Sequence, residues 1–185
     1  MKRRLLQRIR VPLGTLAAVF YFCFARPDAA WLAAGLSPLL AGVSLRLWAA
    51  GHIRKNEDLA RSGPYRFTRN PLYLGSLLMG VGLGIQSGIW WLAPAFLPLF
   101  LLVYLAVMKQ EEKDLENHFG ERFRDYRGRV PLFLPRPGRA LPPAEGAFSI
   151  TRAWKNREYN ALLGTLAAEG ALLAKAAWPS VHLFR

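Results

Sequence analysis

Long uncharged apolar runs alternate with short basic segments along this chain. The alternation predicts membrane-spanning helices joined by loops, since a span needs about 20 apolar residues and the loops collect the charge. The first run, Val11 to Ala25, has fifteen residues and reaches spanning length only if Ile9 or Leu6 extends it. Arg26-Pro27-Asp28 turns the chain into a second run, Ala29 to Ala50, long enough to cross. A polar loop, His52 to Asn70, leads to a glycine-rich third run from Pro71 to near Ile89. A short turn at Gln86 to Gly88 and the pair Trp90-Trp91, a fitting interfacial anchor, open a fourth run that ends near Met108.

From Lys109 to Tyr126 the pattern becomes charged, with Leu115, Phe119, Phe123 and Tyr126 at spacings of three and four. This predicts an amphipathic helix at the membrane surface. Val130 to Pro143 holds five prolines and reads as an irregular connection. The last apolar stretch, Ala161 to Trp178, is interrupted by Glu169 and Lys175 and is expected to form a helix over about 158–178 that packs on the others. The expected fold class is therefore all-α, a polytopic transmembrane helix bundle of about four to five helices in one domain over residues 1–185.

Composition sharpens this picture. The chain is 52% hydrophobic yet carries 25 Lys and Arg against 12 Asp and Glu, a formal net charge of +13. A nucleic-acid binder shares the high charge but does not devote half its length to apolar runs, so nucleic acid is not an expected partner and the lipid bilayer is. Lys and Arg number five in Met1 to Arg10, five in His52 to Arg69 and eleven in Lys109 to Arg157, whereas the opposite turns hold only Arg26. By this bias the basic side, with the N-terminus, is cytoplasmic. The basic N-terminus resembles a signal peptide, but the spans that follow favour a retained first helix. The single cysteine, Cys23, and the isolated His52, His118 and His182 offer no zinc-like spacing, so no metal site is expected.

Two cytoplasmic segments carry candidate chemistry. In Arg61-Ser62-Gly63-Pro64-Tyr65-Arg66-Phe67-Thr68-Arg69-Asn70-Pro71-Leu72-Tyr73, Asn70-Pro71 reads as a helix start with Asn at the N-cap. A helix N-terminus flanked by Arg66 and Arg69 suits a carboxylate or phosphate, although a basic loop before a capped helix is common in membrane proteins. In Lys109-Gln110-Glu111-Glu112-Lys113-Asp114, two glutamates stand where the fourth apolar run ends, near the expected carbonyl end of a helix. There they oppose the dipole unless they meet cations or donors, either Lys109 and Lys113 or a cationic or hydroxyl-bearing ligand. Together the two segments suit S-adenosylmethionine, and a nucleotide would fit similarly. Arg46, charged within a span, either grips an acidic lipid-like substrate or snorkels to the nearby surface.

The order Gly63-Pro64-Tyr65, Arg69-Asn70-Pro71-Leu72-Tyr73, Glu111-Glu112, Phe119-Gly120 and Tyr126 resembles the isoprenylcysteine carboxyl methyltransferase family and the related phospholipid methyltransferases. The resemblance covers a motif-bearing core of about 45–135. It implies an integral membrane methyltransferase that binds S-adenosylmethionine on the cytoplasmic side and methylates a lipid-like or prenylated acceptor. It also implies Tyr65, Arg69, Asn70, Pro71, Tyr73, Glu111 and Glu112 as cofactor-binding residues, with Arg46, Glu111 and Glu112 as catalytic candidates. Asn70 stands where the family most often has His, and an amide cannot act as an acid or base near neutral pH. The alternatives are an NADPH-dependent membrane reductase related to sterol reductases and a non-catalytic protein with a basic cytoplasmic face.

Overall fold

The computed structural model describes residues 19–54, 58–136, 140–142 and 146–178. Among these the chain is all helical: α1 (Ala29–Ala50), a 3-10 turn (Gly63–Arg66), α2 (Pro71–Gln86), α3 (Leu92–Phe119), α4 (Glu121–Arg129), α5 (Ile150–Lys155) and α6 (Tyr159–Ala177). The expected first span lies outside the described residues up to position 18, and its end is helical over 19–24.

Among the described residues two helices, α1 and α3, are long and apolar enough to cross a membrane; α2 is apolar but shorter at 16 residues. Only 17% and 11% of the most apolar windows of α1 and α3 are covered by protein. Leu36, Leu40, Leu97, Leu99, Leu102 and Val103 turn outward. A soluble core helix buries such a surface, whereas a lipid-facing helix leaves it to the bilayer.

The centre of the bundle is a seam of glycines where α1 and α2 run antiparallel. Gly35 lies against Gly82, and Gly42 against Gly75. A Cβ added at Gly42 would stand 2.5 Å from the Gly75 carbonyl oxygen, and one at Gly82 would stand 2.8 Å from the Gly35 oxygen. The helix backbones are therefore in direct contact, the approach that small residues permit between membrane helices. The glycines of the third run thus serve helix packing.

A turn at 87–91 folds α3 back on α2, and Arg26 N–H donates to the Ser87 carbonyl, so the two basic-poor turns share one end of the bundle. The basic segments lie at the other end. There the structure corrects one expectation. The fourth apolar run does not stop at Met108 before a separate surface helix; α3 continues unbroken to Phe119. Between Met108 and Gly120 there is no glycine or proline, and the φ of 53° at Gly120 ends the helix and starts α4. Glu111 and Glu112 therefore sit inside a helix, about two turns from its carbonyl end, and the expected conflict with the helix dipole falls away. The surface helix is the shorter α4, which buries Phe123 and Tyr126 against Leu59 and Val130 and exposes Arg122 and Arg124.

At the far end of α6, Lys175 Nζ donates to the carbonyls of Phe22 and Cys23, tying that helix to residues 19–24. Gly164, also on α6, has nothing within 4 Å of an added Cβ. Gly42→Ala should therefore destabilise the bundle by about 1–3 kcal/mol through overpacking, whereas Gly164→Ala should be neutral or stabilising by up to about 1 kcal/mol. Thermal melting in detergent checks both; equal effects would contradict the seam.

Candidate functional site

A cavity of about 530 Å³ opens at the basic end of the bundle, between the first turn of α2, the last three turns of α3, α4 and the loop after α1. Its size is that of a cleft for a cofactor-sized molecule. Tyr65, Arg69, Asn70, Pro71, Tyr73, Glu111 and Glu112 all line it. Two segments almost 40 positions apart thus meet because α2 and α3 form an antiparallel hairpin.

The polar wall is built from cross-helix pairs. Arg69 Nη1 lies 2.7 Å from Glu112 Oε1, and both side chains are nearly buried, at 11% and 15% exposure. The contact is an ion pair without the directionality of a hydrogen bond. Arg69 Nε is buried without a hydrogen-bond partner, while Nη1 and Glu112 Oε1 face each other in the ion pair. Buried donors and acceptors in that condition are costly unless something satisfies them. Burial also lowers the affinity of Arg69 for its proton, an effect that Glu112 opposes. One position earlier on α3, Glu111 turns outward and accepts a 2.7 Å hydrogen bond from the Tyr73 hydroxyl. The adjacent glutamates are thus divided by the helical turn between them: Glu112 faces the buried arginine, and Glu111 the phenol.

The loop before α2 is held from below by the proline-rich connection. Arg69 N–H donates to the Pro131 carbonyl, and the Asn70 side-chain amide to the Leu132 carbonyl at 2.9 Å. Asn70 occupies the N-cap position, but its side chain caps nothing; it staples the loop to residue 132 instead. Arg66 Nε donates to the Leu141 carbonyl, and Leu141 N–H returns a bond to Arg66. The Tyr126 hydroxyl donates to the Tyr65 carbonyl at 2.7 Å. Burial, joined by nearby Tyr126, Glu111 and Glu158, pushes the Tyr65 phenol well above its ordinary pKa, so it stays protonated. The opposite wall is apolar, with Leu59, Leu115, Phe119 and Phe123.

Comparison with known proteins reaches this site through a family match. Residues 42–122 match the phospholipid methyltransferase family. The matched segment runs from the middle of α1 into α4 and contains the Gly42–Gly75 contact of the seam and most of the cavity. The chain is 38% identical over 134 residues to the cobalt-zinc-cadmium resistance protein CzcN of Cupriavidus metallidurans, covering 69% of this chain and 62% of that one. It is 38% identical to the nickel-cobalt-cadmium resistance protein NccN of Alcaligenes xylosoxydans xylosoxydans, covering 59% and 54%. It is 37% identical to methanethiol S-methyltransferase 2 of Bradyrhizobium diazoefficiens over 79 residues, 39% of this chain and 27% of that protein. The chain thus spans between about half and two thirds of the resistance proteins it matches. No solved structure matches.

Arg46 is not brought to the cavity with the other candidates. Its guanidinium is taken by Glu158, with Nε to Oε1 at 2.5 Å and Nη2 to Oε2 at 3.1 Å. In the other direction, His118 lines the cavity although its isolation in the sequence pointed to a plain surface histidine. Only its place on the continuous α3, seven residues beyond Glu111 and so on the same face, reveals it. His52 pairs through Nδ1 with Ser62 Oγ at 2.8 Å, and burial next to Arg152 lowers its pKa.

The Asn70 staple generates a direct check. Asn70→Asp replaces a donor with a carboxylate facing the Leu132 carbonyl and should destabilise the protein by about 1–3 kcal/mol. A melting temperature unchanged from wild type would show that the staple carries no weight.

Proposed function

We propose that this protein is an S-adenosylmethionine-dependent methyltransferase of the membrane, with a lipid-like or prenylated acceptor that presents a carboxylate, amine or thiol. The observation that carries the reading is the Arg69–Glu112 pair: opposite charges, nearly buried, on the wall of the cavity, with Arg69 Nε left without a hydrogen-bond partner. A free amino acid end is complementary to such a pair, its carboxylate to Arg69 and its ammonium to Glu112. The Tyr73–Glu111 pair offers hydrogen bonds to hydroxyls, and Leu115, Phe119 and Phe123 offer an apolar cover for a purine. This donor set fits S-adenosylmethionine, which when bound supplies a sulfonium methyl group open to in-line displacement.

The chain then has to align, exclude water and manage one proton. Alignment and exclusion of water dominate such a reaction, and the cross-helix pairs with the apolar wall provide both. A carboxylate or thiolate acceptor needs no base. An ammonium acceptor must first lose a proton, and Glu111, Glu112 or Tyr73 is the candidate base. Asn70 takes no part in that transfer, since its amide cannot titrate and is committed to Leu132. The likeness to methanethiol S-methyltransferase supports a thiol among the acceptor chemistries. Outward apolar surfaces on α1 and α3 support entry of a lipophilic acceptor from the bilayer, with the cofactor entering from the cytoplasmic, basic end.

The test is calorimetric titration of S-adenosylmethionine into detergent-purified protein, with NADPH as control and Glu111→Gln/Glu112→Gln as the paired variant. Saturable binding by wild type, weakened at least about tenfold in the variant, is expected from the loss of two charge-assisted contacts. Binding of NADPH alone would replace the proposal with a reductase, and binding of neither by folded protein would favour the non-catalytic reading.

A further inference from the structure

The corner between α5 and α6 lies outside the cavity, yet it reaches two of its lining residues. We infer that Glu158, at this corner, is a positioning residue for the cavity wall, acting through Arg46 on the first turn of α2. The inference rests on the proposed cofactor site for its meaning but not for its test.

Glu158 is 5% exposed and receives the Arg46 guanidinium through both carboxylate oxygens. A guanidinium fork held from one side presents its remaining N–H groups in a fixed direction. Here they go to α2: Arg46 Nη1 donates to Ser76 Oγ at 2.5 Å and to the Leu72 carbonyl at 3.4 Å, and Ser76 Oγ itself donates to Leu72 at 3.0 Å. Leu72 lines the cavity between Pro71 and Tyr73. Arg46 also packs its stem against Gly75, so the ion pair meets the glycine seam at the end nearest the cavity. Two residues before Glu158, Asn156 Nδ2 donates to the carbonyls of Ala50 and Ile53, and Ile53 is a second lining residue.

The backbone shows what this placement requires. Arg157 has φ 61°, the one positive φ outside glycine among the described residues. A non-glycine residue in the left-handed region marks a chain held there by its surroundings. That turn converts α5 into α6 and carries Glu158 inward, so Asn156 and Glu158 hold the end of α1 directly and the start of α2 through Arg46. Removing the Glu158 carboxylate leaves Arg46 without its fixed partner and loosens the orientation of the guanidinium that contacts Ser76 and the Leu72 carbonyl.

The test compares Glu158→Gln, Arg46→Lys and, at the far end of the same helix, Lys175→Met. Backbone hydrogen exchange of the 70–76 segment is read without ligand, and S-adenosylmethionine affinity is read by titration. Glu158→Gln and Arg46→Lys should each raise exchange in that segment about tenfold and weaken affinity about threefold to tenfold. Lys175→Met should lower the melting temperature and leave both readouts at wild type. Should Glu158→Gln fail to fold, Glu158→Asp, which keeps the charge one methylene short, should show the same two effects. Wild-type exchange in folded Glu158 variants, or equal effects from Lys175→Met, would overturn the positioning role. Wild-type protein that binds no S-adenosylmethionine would remove the cofactor reading alone, because the exchange readout still decides this one.

Discussion

Backbone contact between α1 and α2 is the constraint on which this structure depends. Glycines seven residues apart on each helix, Gly35 and Gly42 against Gly82 and Gly75, bring the two chains close enough for carbonyl oxygens to fill the space of a methyl group. Within a bilayer, where apolar side chains gain little by leaving lipid for one another, close packing of this kind does much of the work of association. The seam sets the height of α2 relative to α1. It thereby fixes where the Arg69-Asn70-Pro71 segment emerges at the basic end. Arg46, one helical turn beyond Gly42 on α1, extends the same contact into polar chemistry by gripping Ser76 and Leu72.

The cavity follows from that geometry and from the length of α3. Since α3 runs unbroken to Phe119, it projects about three turns past the apolar region and offers Glu111, Glu112, Leu115 and His118 along one side to the start of α2. α4 then folds back to close the apolar wall with Phe123 and to hold the Tyr65 carbonyl through Tyr126. The proline-rich segment after α4, lacking regular structure, spends its carbonyls on the loop before α2: Pro131 on Arg69, Leu132 on Asn70 and Leu141 on Arg66. The basic end is thus a set of cross-braces around a wall that keeps a charged pair nearly dry.

Much of this was legible in the sequence. The bounds of α1 and the start of α2 follow from where charge and proline interrupt the apolar runs, and both match the structure at the residue level. The meeting of Arg69 with Glu112 and of Tyr73 with Glu111 follows from two antiparallel helices with a short turn, although which glutamate faces which partner needs the helical phase. Three features were hidden. A change of hydropathy at Met108 resembles a helix end, but hydropathy reports the membrane boundary and not the backbone, which ends only at Gly120. Glu158 lies 112 positions from Arg46, and no local pattern links them. His118 is isolated in the sequence and joins the cavity only through the helix that carries it.

The most direct measurement of the central claim is photochemical crosslinking of methyl-labelled S-adenosylmethionine to the purified protein, followed by peptide mapping. The account predicts label on the peptides that carry Tyr65 to Tyr73 and Glu111 to Tyr126, competed away by unlabelled cofactor. Label confined to other segments, or label that unlabelled cofactor does not displace, would contradict it.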